Sequence, residues 1–156
     1  MATVRAEVRT KVSKQRTLNA LDRIIAAIEE LTPAAVEEVR DQTRRDVVRL
    51  LRMRQHPAGT PTPSPPGEPP ARISGKLLGS VKGTPVERTG DFTWTASVAP
   101  YIVYGRIQEL GGVSGRGHRT HLPPRPYLSR AVADLHAAGF YRDTFVTYWS
   151  EALRAG

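Results

Sequence analysis

The sequence contains no cysteine. That excludes disulfide cross-links, thiolate metal sites and any Cys–His nucleophile pair. Aromatic residues are scarce, at 6%, so stacking surfaces of the kind that read single-stranded RNA are not expected. No apolar run approaches the length of a membrane span, and the polar, charged first residues do not read as a secretory leader. A soluble protein made in a cytoplasm is expected. Carboxylates are also in deficit: 15 Asp and Glu stand against 23 Lys and Arg, for a net charge of +8. Such an excess suits either a polyanionic neighbour or a set of solvated arginines.

What is present divides the 156 residues into stretches of one domain. Residues 1–16 form a basic arm with Arg5, Arg9, Lys11, Lys14 and Arg16 against Glu7. Valines at 4, 8 and 12 permit a helix there, and a tail that orders on binding is equally compatible. Residues 17–54 are helical: Leu18, Leu21, Ile24, Ile25, Ile28 and Leu31 recur at spacings of three and four. Thr32-Pro33 reads as a boundary, with Thr32 capping a second helix. That helix carries Val36, Val39, Thr43, Val47, Leu50 and Leu51 on one face. A basic stripe of Arg40, Arg44, Arg45, Arg49, Arg52 and Arg54 crowds the rest.

Residues 55–72 are a proline-rich extended loop, because proline at this density removes amide donors and fixes extended backbone. Within 73–136 a short helix precedes a hairpin over residues 81–98. Its first strand spans Val81–Glu87, and Arg88-Thr89-Gly90-Asp91 turns with Gly90 free to take positive φ. Its second strand buries Phe92, Trp94, Ala96 and Val98 on one face. Tyr101–Leu110 reads as a helical turn, with both tyrosines on one face, either at the edge of the core or exposed as anchors at a subunit seam. Gly111–Gly117 reads as a flexible loop, and a short strand lies near 121–126. The final helix begins at Leu128, breaks near Gly139 and fills 137–156. The fold class is α+β: long N-terminal amphipathic helices, a small antiparallel sheet and a C-terminal helix packed on it.

Catalytic constellations are missing. His118 and His121 are spaced like some metal ligands but sit in a Gly/Pro-rich loop without a carboxylate. The run GGVSGRG lacks the Lys-Ser/Thr of a phosphate-binding loop. There is no Gly-x-Ser-x-Gly elbow, and Glu109 has no second carboxylate to work with, so it reads as a helix-end charge or ion-pair partner. No catalytic, metal or cofactor site is expected.

Two ordered segments carry a family resemblance. The first is PYIVYGRIQELGG, from Pro100 to Gly112; the second is LPPRPYLSRA, from Leu122 to Ala131. With the upstream SPPGEPP at 64–70 and SGKLL at 74–78, they resemble the tail-completion and neck (head–tail joining) proteins of long-tailed bacteriophages, including relatives of the phage Mu virion-morphogenesis protein and lambda minor tail protein Z. The resemblance covers about residues 64–133. It points to Tyr101, Tyr104, Glu109, Gly111, Gly112, Pro124, Arg125, Pro126, Tyr127 and Leu128 as motif or interface residues, with Tyr127 standing where Phe is common in the family.

The resemblance implies a structural ring, typically six-fold, in the neck of a virion, assembled in the host cytoplasm. It would meet a head connector or stopper on one side and a tail terminator or tail-tube protein on the other. Genome DNA would pass through without being read. Arg5, Arg9, Lys11, Arg40, Arg44, Arg45, Arg49 and Arg52 are the candidates to face DNA or an acidic partner. A tail terminator or head-closure stopper is the nearby alternative. A small sequence-nonspecific DNA-binding protein is the alternative of another class.

Overall fold

A computed structural model describes residues 2–57, 64–115, 117 and 119–155, with side chains described from Gln15 to Arg154 within those ranges. One helix dominates. α1 runs from Ala2 to Arg52 without interruption, 51 residues, or about 75 Å at 1.5 Å per residue. The boundary expected at Thr32-Pro33 is absent, for Pro33 lies inside the helix. Thr32 does not cap a new helix. Its hydroxyl donates back to Ile28 O at 2.6 Å and accepts from Trp149 Nε1 at 3.1 Å. The basic arm is helical in backbone as well, as the first four turns of α1.

Proline in a helix interior removes one backbone bond and crowds the preceding turn. Here the C-terminal helix spans that point. α5 (Phe140–Ala155) packs along α1, and the Trp149–Thr32 bond lies beside Pro33. Ala35 and Ala152, both fully buried, let the two helices approach closely. Burial along this seam outweighs the cost of the missing bond.

The rest of the chain packs on the C-terminal half of α1. After the loop come α2 (Lys76–Gly79), β1 (Val81–Gly83), β2 (Glu87–Gly90), β3 (Thr93–Thr95) and β4 (Val98–Pro100). Then follow α3 (Gly105–Leu110), β5 (Gly112–Ser114), β6 (Thr120–Leu122) and α4 (Leu128–Ala137), before α5. The 81–98 hairpin forms as two antiparallel ladders. β1 pairs with β4, Val81 opposite Pro100, and β2 pairs with β3, Glu87 opposite Thr95. Thr84 joins them: its N–H donates to Ser97 O and its hydroxyl accepts from Ser97 N, both at 2.9 Å.

The turn differs from expectation. Positive φ falls at Phe92 (φ 54), not at Gly90, so Phe92 sits on the turn and is exposed, while Trp94, Ala96 and Val98 are half-buried. A register shift between Arg88 and Gly90 accompanies the change; a bulge of this kind re-aims the side chains beyond it.

Gly111–Gly117 is another correction. Gly112–Ser114 is strand β5, paired antiparallel with β6 so that Gly112 faces Leu122 and Ser114 faces Thr120. The strand expected near 121–126 is this β6, followed by extended backbone. The break before the last helix is where it was expected, at Gly139 with φ 73.

The core gathers Val47, Leu50 and Leu51 of α1, Val81 of β1, Tyr127 and Ala131. Side chains of this size contribute on the order of 1.5–3 kcal/mol each when fully buried. The core therefore welds α1, the hairpin and α4 together at one end of the long helix. Toward the N-terminus of α1, no other element among the described residues covers Leu18 and Leu21, which are about half exposed.

Candidate functional site

α4 begins without a cap of its own. Tyr127 occupies the capping position and makes no side-chain cap bond, so the first amides of the helix need an acceptor from elsewhere. Glu109, near the end of α3, supplies it. Its Oε2 accepts from Tyr127 N (2.8 Å) and Leu128 N (2.9 Å), and its Oε1 accepts from Ser129 N (2.9 Å) and the Ser129 hydroxyl (2.6 Å). A carboxylate here also meets the positive end of the helix dipole. Burial pushes the Glu109 carboxyl up, but the Ser129 hydroxyl and the three amides outweigh it and hold it below the usual carboxylate range.

The return contact comes from Tyr127. Its ring is fully buried and its hydroxyl donates to Gly105 O at 3.0 Å, at the start of α3. Burial first, and the nearby Glu109 carboxylate second, raise this phenol well above its ordinary range, so it stays a donor. The two motif segments thus grip each other at both ends of α3.

Glycine and proline complete the join. Gly111 ends α3 with φ 70, and a Cβ there would lie 2.7 Å from Pro124 N and 2.8 Å from Leu122 O. Only a glycine permits that approach. Arg125 N donates to Gln108 O, and Gly67 N donates to Pro124 O, both at 2.9 Å. Gly67 belongs to the SPPGEPP segment, so the upstream part of the resemblance docks on the same unit. Arg125 is buried, with its Nη1 3.5 Å from Gln108 Oε1 and no partner at Nε among the described residues. It lines a cavity of about 320 Å³, together with Leu51, Arg72, Lys76, Leu77 and Tyr104.

Of the motif residues, Glu109, Gly111, Pro124, Arg125, Tyr127 and Leu128 are therefore brought together. Pro126 lies between two of them and is half-buried; Gly112 opens β5 and is exposed. Tyr101 and Tyr104 do not share a helical face at the core edge. The helix starts only at Gly105, and both rings are exposed. With Val103, fully exposed, and with Leu110 and Val113, they put five large apolar side chains on the outside of residues 101–113. Gly105, Gln108, Ser129 and Gly67 lie within the resembling segments, but sequence reasoning did not single them out as members of this unit. Gly105 is required because a Cβ would lie 2.6 Å from Pro100 Cγ.

The basic stripe separates into two groups. Arg40 and Arg44 hold the hairpin to α1: Arg40 Nη1 donates to Thr84 O (3.0 Å) and Arg44 Nε to Val81 O (3.2 Å). Arg40 is also paired with Glu37 and Asp41, each at 2.8 Å, and its side chain is mostly covered. Asp41 first, then Glu37, raises its pKa further. Arg45, Arg49 and Arg52 are exposed and, with Arg44 and Val48, line a shallow depression of about 450 Å³. Arg49 pairs with Asp46 at 3.0 Å, Arg45 Nε donates to Gln42 Oε1 at 3.0 Å, and Arg54 pairs with Glu68. Arg5, Arg9 and Lys11 lie on α1, but their side chains fall outside the described residues, as do His118 and residues 58–63 of the proline-rich loop.

Among the described residues, no group of three or more His, Asp or Glu side chains is placed to hold a metal ion, and no helix is long and apolar enough to cross a membrane. No family model, curated protein or solved structure matches the chain.

Proposed function

We propose that this chain is a structural subunit of the neck of a long-tailed bacteriophage. In this reading it forms a ring that joins the DNA-filled head to the tail, and it catalyses no reaction. The observation that carries the proposal is the mutual grip of the two resembling segments. Glu109 caps α4, Tyr127 reaches back to Gly105, and Gly111 fits against Pro124. The motif residue types thus have a joint structural reason for their order and spacing. Polar groups are spent on holding the unit together, while apolar side chains such as Tyr101, Val103 and Leu110 face outward. Outward apolar groups on a rigid unit suit contact with another protein surface.

In a ring, each subunit meets the next through two different patches, and adjacent layers of the neck cover its two rims. A lumen carrying Arg45, Arg49 and Arg52 would attract passing DNA through its phosphates without reading bases. A tail terminator or head-closure stopper would use the same architecture one layer away. A second reading, a small DNA-binding protein, is favoured by one observation: the exposed arginines around the Val48 depression.

Immunogold labelling of phage particles tests the proposal. Label at the junction of capsid and tail is expected. Particles with intact necks and no label there would overturn it.

A further inference from the structure

Arg125 is a buried ion with almost no partner. It is 8% exposed, and a guanidinium keeps its charge wherever it lies. Burying such a charge is costly unless it is paired. Among the described residues its guanidinium makes one hydrogen bond, 3.5 Å long, to the neutral Gln108 Oε1, and its Nε makes none. Arg40, Arg49, Arg54 and Arg88 each pair with a carboxylate; Arg125, among the described residues, does not. The cavity it lines, of about 320 Å³, has the same imbalance: Arg72 and Lys76 stand on its wall, and no Asp or Glu does. Arg72 Nη2 donates to the neutral Gln55 Oε1. Residues 58–63, which precede Ser64 of the wall, contain no Asp or Glu either.

Much of the remaining wall is apolar. Leu51 is buried, Leu77 is half-buried, and Ile73 and Tyr104 are 58% and 38% exposed. A pocket at the small end of the usual range, with apolar walls and a few convergent charges, fits a compact organic ligand. An inorganic anion would satisfy the guanidinium and leave the apolar wall uncovered. A carboxylate matches a guanidinium with two parallel hydrogen bonds. We infer that this cavity is a binding site for a carboxylate carried on a small apolar group. Arg125 holds the carboxylate, the exposed Lys76 adds a second positive charge, and Leu51, Leu77 and Tyr104 cover the apolar part. That chemistry is shared by a free organic acid and by an acidic peptide residue beside an apolar one. The inference rests on this cavity and holds whether or not the neck reading does.

Ligand-observed saturation-transfer NMR on the full chain tests it. Hexanoate is the free-acid probe and the amidated dipeptide N-acetyl-leucyl-glutamic acid the peptide probe. Hexanamide lacks the charge, and inorganic phosphate lacks the apolar group. Hexanoate and the dipeptide are expected to saturate in the millimolar range, with both controls at least about tenfold weaker. The tighter of the two probes names the source of the carboxylate, and either order supports the site. Arg125→Met removes the charge at similar length and should weaken binding at least about tenfold, while the ligand-free Tm is kept or raised because an unpaired buried charge is gone. Lys76→Gln changes an exposed side chain; it should weaken binding about threefold and carries the same test if the buried substitution disturbs folding. Probes that never saturate would overturn the inference. So would hexanamide or phosphate binding as tightly as hexanoate, or a Lys76→Gln chain or a folded Arg125→Met chain that binds like wild type.

Discussion

Glu109 illustrates how a single carboxylate can decide the position of a whole element. It satisfies three amides and a hydroxyl at the start of α4, and losing such a cap costs about 2 kcal/mol. Glu109→Ala should lower stability by about that amount in denaturant titration at neutral pH. Because the folded carboxyl sits below its ordinary value of 4.5, its contribution is present above that value and is lost as pH falls through the folded value. The gap between wild type and variant should then narrow progressively below pH 4.5; a constant gap down to pH 2 would show that the charge is not what matters. Gly111→Ala places a Cβ against backbone at positive φ and should cost at least about 2 kcal/mol, measurable as a lowered Tm. The sequence presents Glu109 as a helix-end charge, but not the helix it serves, because its partners lie 18–20 residues further on. Capping across elements leaves no local spacing to read. Tyr127 is readable as a motif residue, and its burial and bond to Gly105 are not, for the same reason.

Among elements, α1 departs most from its sequence. Periodicity predicts helix on both sides of Pro33 correctly, and proline chemistry predicts a break that tertiary packing overrides. Pro33→Ala restores a backbone donor inside a continuous helix, so it should raise stability by about 1–3 kcal/mol; an unchanged or lowered Tm would speak for two helices meeting at this point. The final helix with its break at Gly139 is legible because glycine at a positive-φ stop is a local signal. The β5–β6 hairpin is not. Its strands are three residues each and rich in Gly, Ser, Thr and His, so neither propensity nor alternation marks them. Likewise, the alternating Phe92–Val98 run locates the second strand of the main hairpin, but the turn claims Phe92.

At the scale of the molecule, a welded body sits on one half of a long helix and leaves apolar and basic surface outside. Composition discloses the positive charge but not its partition: Arg40 and Arg44 staple the hairpin, and Arg45, Arg49 and Arg52 remain on the surface. Arg45, Arg49 and Arg52, with the exposed Arg44 beside them, line the depression open to a polyanion. Charge reversal at Arg45 and Arg52, which leaves the Arg49–Asp46 pair in place, should leave the melting temperature near wild type. It should also weaken duplex DNA retention and flatten its salt dependence by roughly one unit of slope for each phosphate no longer neutralised. Unchanged retention would assign the patch to ordinary solvation. The central claim is that the folded unit acts by assembling with copies of itself, and electron microscopy of the purified full chain tests it most directly. The account predicts closed rings with an open centre; isolated monomers that coat added duplex DNA and never close would contradict it.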